Sequence, residues 1–523
     1  MLVVAILAAS VAILLWHSVR ANDGHLVFAL DDPYIHLSMA RSLASDGVWG
    51  VVPSQFSATS SAPLYTLLMA LAFLVGGSSE IWAWLFAITG GLAAAAVLAN
   101  LISRQFPHTG AAVALSLLAV VITGLPELMF TGMEHTLHIF VVLMMAGVAL
   151  SDTEGSRRSL KSDLLLATLV LIGCGLRYET LFLVPALLWH LMRSGRRFAA
   201  WMSGVAAILP GLVLGAVQVI NGQMVLPNTL IMKSVIGYGD DLSYVSRFLS
   251  QIESSYLTAL MVLVATGTFL SVYQRSDSRN NPRLLAAAMF LSGCVFHAAF
   301  ARIDRRYVGY LLALGIVAAA PYAGAWLAKA RVLMTGSEGK NGRARKVLGW
   351  VLLACIGVLP FTNRIVDLQR LPRLGRDVYV QQYQMARFFA TEYSGQSVGL
   401  NDIGTTSWAG MNPVLDLWGL AEGEIARECL AGRWTVESIR RYVAETKTEI
   451  VAVYPNWYEG IGGLPREWIA VGSWDLFSGI QVNVAQPQVV FLATNQAAAD
   501  HLKAHLNAFA STLPYGVAFT PYL

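Results

Sequence analysis

The sequence predicts a polytopic α-helical membrane protein with an α/β domain at its C-terminal end. Hydrophobic residues make up 56% of the 523 residues and charged residues only 13%, with a mean hydropathy of +0.57. Soluble domains are about 45–50% apolar and about 25% charged, so one water-soluble core cannot bury this much apolar surface. A net charge of +4 and four scattered cysteines do not indicate nucleic-acid binding or a disulfide framework.

About eleven apolar runs are long enough to cross a bilayer, for which a helix needs about 20 residues. The first run lacks the basic start and the cleavage site of a signal peptide, so we expect a retained helix. The shorter run 62–76 crosses if the N-terminus lies outside, and lies on the surface as an interfacial helix if the N-terminus is cytoplasmic. The predicted spans are 2–19, 80–101, 110–125, 135–151, 162–176, 180–193, 199–220, 256–273, 284–300, 307–330 and 346–361.

Basic connecting segments predict the orientation. The segments 152–161, 193–198, 274–283 and 329–346 are rich in Lys and Arg and fall on one side if 162–193 is a hairpin. The positive-inside rule makes that side the cytoplasm. The first outer loop, 20–79, then lies outside, together with everything after the last span.

The apolar runs stop near residue 361, which separates a membrane module, 1–361, from a C-terminal domain, 362–523. The domain is long enough for its own core. Short β-rich runs alternate with helical patterns, which indicates an α/β domain. Its tryptophans either stack on sugar rings or pack in its core. The pattern predicts strands at 397–400, 414–417, 450–454 and 489–492 and helices at 376–393, 434–447 and 496–510.

Two adjacent carboxylates, Asp31 and Asp32, precede Pro33 at the start of a predicted amphipathic helix. Asp32 is explained equally well as the N-cap of that helix, whereas Asp31 has no such structural explanation. Neighbouring carboxylates beside an apolar surface raise each other's pKa values, which suits a general base or a cation ligand. We therefore expect Asp31 and Asp32 to be catalytic. No metal site is certain, although the pair could hold a divalent cation such as Mg²⁺, Mn²⁺ or Ca²⁺.

Cations in other outer loops complement this pair. Guanidinium groups bind phosphate bidentately, so an anionic ligand would explain arginines outside the membrane. Headgroup contacts and internal ion pairs are the alternative explanations, and His135 is expected to be an ordinary buried histidine. The residues predicted to bind a donor phosphate are Lys233, Arg302, Arg305, Arg306 and Arg177, and those predicted to bind acceptor or sugar are His36, Glu134, Glu179 and Asn228.

Several motifs together resemble those of C-type (GT-C) glycosyltransferases. The acidic pair leads into a helix, and Thr59-Ser60-Ser61-Ala62-Pro63-Leu64 is similar to a TSPL segment that opens a second surface helix in that family. Other motifs resemble the branch that contains terminal arabinofuranosyltransferases. These are Gly132-Met133-Glu134, Pro227-Asn228-Thr229 with Lys233, and Arg306-Tyr307. The segments Asn401-Asp402-Ile403-Gly404 and Asp416-Leu417-Trp418-Gly419-Leu420 resemble motifs that are typical of the broad group. The turn Arg177-Tyr178-Glu179-Thr180 and the alanine inserted before Pro63 depart from the family pattern.

The resemblance implies an integral enzyme of the bacterial inner membrane, with a cytoplasmic N-terminus and an extracytoplasmic C-terminal domain. It implies inverting transfer of a sugar from a polyprenyl-phosphate donor to an envelope glycan or glycolipid, with Asp31 as the base. A transporter or flippase of a lipid-linked precursor is the main alternative, although no internal repeat supports it. An inactive glycolipid-binding scaffold is a second alternative.

Overall fold

The computed structural model describes residues 1–106, 109–151, 159–236, 262, 266–267, 282–300, 306–320, 359–410, 412–477 and 485–522. The N-terminal part of the described chain is helical. Its first eleven helices are α1 (Leu2–Ala21), α2 (Asp32–Asp46), α3 (Pro63–Gly76), α4 (Ile81–Ser103), α5 (Thr109–Ile122), α6 (Leu125–Met129), α7 (His135–Ser151), α8 (Leu160–Leu176), α9 (Val184–Arg193), α10 (Arg197–Ile220) and α11 (Asn228–Ile236). The helices Pro282–Phe300, Gly309–Ala320 and Leu359–Val380 follow.

Three of the described helices, α1, α4 and α10, are long and apolar enough to cross a membrane. Helix α3 has 14 residues and spans about 21 Å at 1.5 Å per residue, which is short of the hydrocarbon core of about 30 Å. The number of eleven spans stays a prediction, because the predicted spans 256–273 and 346–361 fall mostly outside the described residues.

Close helix packing in this part depends on small residues. Helix α4 packs against α7, and Gly90 of α4 lies at the crossing. A Cβ atom at Gly90 would stand 2.8 Å from the backbone nitrogen of Leu137. Small residues at such crossings let two helix backbones approach each other, as in other membrane bundles. The arrangement fixes the start of α7, where Glu134 and His135 lie.

The C-terminal part is an α/β domain around one six-stranded sheet. In spatial order the strands run β2, β1, β3, β5, β4, β6. Strand β1 pairs in parallel with β2 and β3, whereas β5 pairs antiparallel with β3 and β4, and β4 antiparallel with β6. The strands are β1 (Val398–Leu400), β2 (Val414–Asp416), β3 (Ile450–Val453), β4 (Ile469–Leu476), β5 (Gln488–Ala493) and β6 (Val517–Pro521), and the helices of the domain are Gln382–Glu392, Gly423–Leu430, Val436–Glu445 and Gln496–Ala510.

The sheet positions two loops against the helical part. Because β1 and β2 are parallel, their carboxyl ends meet at one edge of the sheet. The segment Asn401–Gly410 follows β1 and the segment Leu417–Glu422 follows β2. Both segments contact the chain between α1 and α3, which we call the first loop. The domain edge therefore lies over the start of α2.

Sequence predictions for this domain are correct in part. All four predicted strands are present, with ends shifted by at most one residue at either end. The predicted helix 376–393 is divided, because Leu359–Val380 ends one residue before Gln381 and a new helix begins at Gln382. Strands β4 and β6 and the helix Gly423–Leu430 were not predicted. The buried Trp474 packs with Phe388, Phe491 and Phe509, so this tryptophan belongs to the core.

Candidate active site

A cavity lies where the first loop, the helical part and the sheet domain meet. It combines carboxylate, guanidinium, imidazole and hydroxyl groups from six separate stretches of the chain. Its walls are formed by Asp32, Ile35, His36, Thr59, Ser61, Met133, His135, Arg177, Thr229, Arg306, Tyr307 and Leu420. Nine of these twelve residues carry a polar side chain, so the cavity has more polar groups than the mostly apolar pockets that are usual for small molecules.

Asp32 and Arg306 face each other in this cavity. Arg306 Nη1 donates to Asp32 Oδ2 at 2.7 Å, and both side chains keep about a quarter to a third of their surface exposed (26% and 34%). The two residues are 274 positions apart in the chain. A charge-assisted contact that stays accessible to solvent can rearrange around a ligand, unlike a fully enclosed ion pair.

Arg177 is held in a buried ionic cluster at the same cavity. Its guanidinium donates to Glu134 and Glu179, and its Nη1 lies 3.0 Å from His135 Nδ1. Glu134 has no exposed surface. Burial would raise the pKa of Glu179, but the Arg177 guanidinium beside it lowers that pKa to about 2. One arginine therefore faces two carboxylates, and the cluster carries a formal negative charge.

Tyr307 stands between the two arginines. The guanidinium carbons of Arg177 and Arg306 each lie 5.0 Å from the centre of its ring. Cations favour the negative face of an aromatic ring at such distances. The ring therefore stabilises two positive groups that would otherwise repel each other, and it keeps both at one wall of the cavity.

His36 lies on the cavity wall through contacts between α2 and α3. Its Nδ1 is 2.9 Å from the hydroxyl of Thr66, and its ring packs against Tyr65. The Tyr65 hydroxyl donates to the carbonyl oxygen of Gly132 at 2.6 Å. Gly132 has a φ of +64°, a conformation that glycine adopts without strain. These bonds join α2, α3 and the turn before α7.

Helix α11 brings Asn228 and Thr229 to the same region. The Asn228 backbone nitrogen donates to Ala58 in the first loop at 2.7 Å. Its amide side chain is fully buried, and neither of its polar atoms has a hydrogen-bond partner among the described residues. Buried amides normally have such partners. Lys233 lies in the same helix, but its side chain is outside the described part of the structure. Arg302 and Arg305 lie wholly outside the described residues.

Asp31, which we expected to be catalytic, is not among the residues that line the cavity. Its carboxylate accepts hydrogen bonds from the backbone nitrogens of Gly404 (2.6 Å) and Thr405 (2.7 Å) and from the Thr405 hydroxyl. Asp31 is also the N-cap position of α2, which begins at Asp32, although its side chain makes no capping hydrogen bond; the alternative that Asp32 is the N-cap was therefore wrong. The adjacent carboxylates therefore have different partners.

Leu420 was not predicted as a site residue. Its loop is shaped by Asp416, whose carboxylate accepts from the backbone nitrogens of Trp418 (2.9 Å), Gly419 (3.1 Å) and Ala421 (2.6 Å). The loop places Leu420 in the cavity wall. The motif Asp416-Leu417-Trp418-Gly419-Leu420 was the available sequence signal, but nothing in it shows which loop of the helical part it meets.

Metal binding stays a prediction. Within the described ranges, no group of three or more His, Cys, Asp or Glu side chains is arranged to hold a metal ion. The roles predicted for the two aspartates, the cations and the acceptor residues also stay predictions, since the structure shows positions and contacts only.

The sequence matches one family model in part, and it matches no curated protein. Residues 376–493, which form most of the sheet domain, match a domain of unknown function, DUF8728. This match covers less than half of the chain, and it assigns no activity.

Solved membrane enzymes have a similar fold over nearly the whole chain. ArnT from Cupriavidus metallidurans bound to undecaprenyl phosphate aligns with a TM-score of 0.56 and 14% identity, covering 94% of this chain and 99% of ArnT. The apo form of ArnT aligns with the same TM-score and identity. The apo oligosaccharyltransferase of Archaeoglobus fulgidus aligns with a TM-score of 0.51 and 11% identity, covering 97% of this chain and 78% of the archaeal chain. The protein is a membrane protein with the GT-C fold.

Proposed function

We propose that the protein is a glycosyltransferase that moves a sugar from a polyprenyl-phosphate donor to an envelope glycan or glycolipid acceptor. The observation that carries the proposal is the Asp32–Arg306 pair in a cavity of a GT-C membrane fold. ArnT, which has a similar fold, was crystallised with undecaprenyl phosphate. Transfer on the outer face of the membrane follows from the predicted orientation of the basic loops.

Arg306 is the best-placed described residue for the donor phosphate. Its guanidinium is accessible from the cavity, and the fork formed by its N–H donors suits phosphate oxygens. Arg177 is less suited, because its donors are engaged by Glu134, Glu179 and His135. The negative charge of that cluster also opposes an incoming phosphate. We assign Arg177 to the wall of the site and Arg306 to the phosphate.

Asp32 is the carboxylate that we assign to the chemistry. In the transfer step an acceptor hydroxyl oxygen forms a bond to the anomeric carbon of the sugar. The bond from that carbon to the phosphate oxygen breaks, and its electron pair leaves with the phosphate. The hydroxyl proton passes to the Asp32 carboxylate. Attack on the face opposite the phosphate gives inversion.

The test is label transfer in membranes from a panel of polyprenyl-phosphate sugars to an envelope fraction that contains the acceptor. Loss of a general base typically costs about 10²–10⁴ in rate, so Asp32→Asn should lose transfer by that factor. Arg306→Ala removes a charge-assisted bond worth roughly 1.5–3 kcal/mol and should weaken use of the donor by about 10- to 100-fold.

Asp46→Asn is the matched control, because Asp46 is an exposed carboxylate at the other end of α2. It should keep normal transfer. Normal transfer by folded Asp32→Asn protein would remove Asp32 as the base and return the assignment to Asp31. Absence of transfer by the unmodified protein from every donor in the panel would argue against the proposed function itself.

A further inference from the structure

The segment Asn401–Gly410 of the sheet domain contacts the first loop, including its helix α2, and the residue before α4. Arg41 of α2 donates to the backbone oxygens of Ser407 and Trp408, each at 2.8 Å. The indole nitrogen of Trp408 donates to Glu80, the residue before α4, at 2.7 Å. Together with the bonds from Gly404 and Thr405 to Asp31, these contacts join the sheet domain to the start of α2.

A second carboxylate, Asp402, faces Asp31 inside this contact. Burial raises the pKa of both carboxyl groups, and a hydrogen bond between them lowers the pKa of Asp31 and raises that of Asp402. The amide nitrogen of Gln382 donates to Asp402 Oδ2 at 2.9 Å, and the Tyr454 hydroxyl lies 3.2 Å from the same oxygen. Two carboxylates in contact, one buried and one half-buried, cannot both be charged at low cost, so one of them must hold a proton.

The surroundings indicate which carboxylate holds the proton. Asp31 accepts three hydrogen bonds from Gly404 and Thr405, which favour its charged form. Burial raises the pKa of Asp402 well above its ordinary value, and the Asp31 carboxylate beside it raises that pKa further. Asp402 is therefore the neutral acid, and its hydroxyl donates to Asp31.

Gly404 permits this close approach. A Cβ atom at position 404 would clash with the backbone oxygen and the carboxylate of Asp31. The loop after β1 can therefore reach Asp31 only with glycine at this position. The contact is specific to the local sequence, since it depends on both Asp402 and Gly404.

We propose that Asp402 is a positioning residue that, as the neutral acid, fixes Asp31 and so holds the adjacent Asp32 toward the cavity. The docking of the loop on Asp31 does not depend on any activity of the protein. The consequence for Asp32 rests on the proposed function.

The proposal includes a pH dependence. As the pH rises through the raised pKa of Asp402, the shared proton is lost and two negative charges face each other, so docking weakens. Below that pKa the docking is complete. The other titratable or charged groups that face the pair are Tyr34 on α2, Tyr454 after β3, and Asp32. Burial holds the pKa values of both tyrosines well above their usual range, so they stay neutral while Asp402 titrates.

Hydrogen–deuterium exchange of the full-length protein in detergent tests the docking without any substrate. The readout is the protection of the peptide that contains Gly404 and Thr405, corrected for the intrinsic exchange rate at each pH from 6 to 9. Asp402→Asn keeps a hydrogen-bond donor to Asp31 but cannot ionise. We expect it to retain protection and to lose the pH dependence. Asp402→Ala should lower protection by about 10- to 100-fold, as expected for a hydrogen bond to a charged group.

Asp500→Asn is the control, because Asp500 is an exposed carboxylate in the helix Gln496–Ala510. It should match the unmodified protein at every pH. Equal loss of protection in Asp402→Asn and Asp402→Ala would overturn the proposal, and so would a pH dependence that persists in Asp402→Asn. If Asp402→Ala does not fold, the Asp402→Asn comparison alone decides.

Label transfer then tests the consequence for Asp32. Asp402→Asn should keep transfer at high pH better than the unmodified protein does. Asp402→Ala should lower the turnover rate more than it changes the donor concentration that transfer requires. If the variants change protection as expected but transfer is unaffected, the positioning of Asp32 is refuted while the docking itself stands. Absence of transfer by the unmodified protein would count against the proposed function and would leave the exchange results valid.

Discussion

Removal of Arg177 should be the most destabilising single change in the buried ionic cluster. Arg177 is 6% exposed, and it is bonded to the carboxylates of both Glu134 and Glu179. Arg177→Met fills most of the space but leaves the buried Glu134 carboxylate and the partly exposed Glu179 carboxylate without their cation. Glu134→Gln removes one charge and leaves Arg177 paired with Glu179. The two changes therefore have very different consequences although they affect one contact.

The magnitudes follow from this count of charges. Breaking a buried ion pair by removal of one partner costs about 3–5 kcal/mol, and Arg177→Met breaks two pairs, so its cost should lie at or above the upper end. Glu134→Gln replaces one charged hydrogen bond by a neutral one, so its cost should not exceed about 1.5–3 kcal/mol. In the double variant one uncompensated charge is already neutralised. Arg177→Met with Glu134→Gln should therefore be more stable than Arg177→Met alone.

Thermal unfolding of the purified protein in one detergent at a fixed heating rate measures this order. A matched control is Arg441→Met, which breaks a more exposed pair with Glu428 on the sheet domain and should leave the unfolding midpoint nearly unchanged. Additive losses in the double variant would show that the two charges do not interact as the structure places them. A loss in Arg177→Met no larger than in Arg441→Met would refute the reasoning altogether.

Two further predictions concern Glu422 and Asn228. Burial raises the pKa of Glu422 to about 7, and Asp416 adds to the shift. A raised pKa favours the folded state only while the proton is bound, so stability should fall as the pH rises from about 4.5 to 7. Glu422→Gln should flatten that part of a plot of unfolding midpoint against pH, and an unchanged slope would contradict the assignment. Asn228→Leu should leave the unfolding midpoint unchanged or raise it, because the buried amide has no described partner, and should lower label transfer if the amide serves a ligand; a lower midpoint with normal transfer would indicate a structural role instead.

Much of the sheet domain could be predicted because hydrophobic runs and turn residues are local signals. Strands β1, β2, β3 and β5 are short apolar runs, and the structure confirms them. Strand β4 was missed because Gly472, Ser473 and Asp475 interrupt its apolar pattern and its pairing shifts between Ala470 and Gly472. Strand β6 has five residues, ends in Pro521 and lies at the edge of the sheet. Neither segment alternates cleanly enough for a sequence to indicate a strand.

The residue types of the candidate site could be predicted, but their partners could not. The sequence indicated that Asp32, Arg306, Arg177 and His36 belong to loops on one side of the membrane, and the structure brings them to one cavity. It also suggested acceptor binding for Glu134 and Glu179, which stays a prediction, and the structure shows both carboxylates bonded to Arg177. The contact of Asp31 with Gly404 and Thr405 spans more than 370 positions. Contacts at that separation depend on how the sheet domain docks, which no local pattern encodes.

The different contacts of Asp31 and Asp32 follow from helix geometry. Successive residues at the start of a helix project about 100° apart, because a turn takes 3.6 residues. With α2 packed between the cavity and the sheet domain, one carboxylate reaches the loop after β1 and the next reaches Arg306. A change that moves the sheet domain therefore acts on Asp31 first and reaches Asp32 through one peptide unit. Because the two acidic residues are adjacent, the carboxylate that docks the sheet domain and the carboxylate that lines the cavity lie only one residue apart.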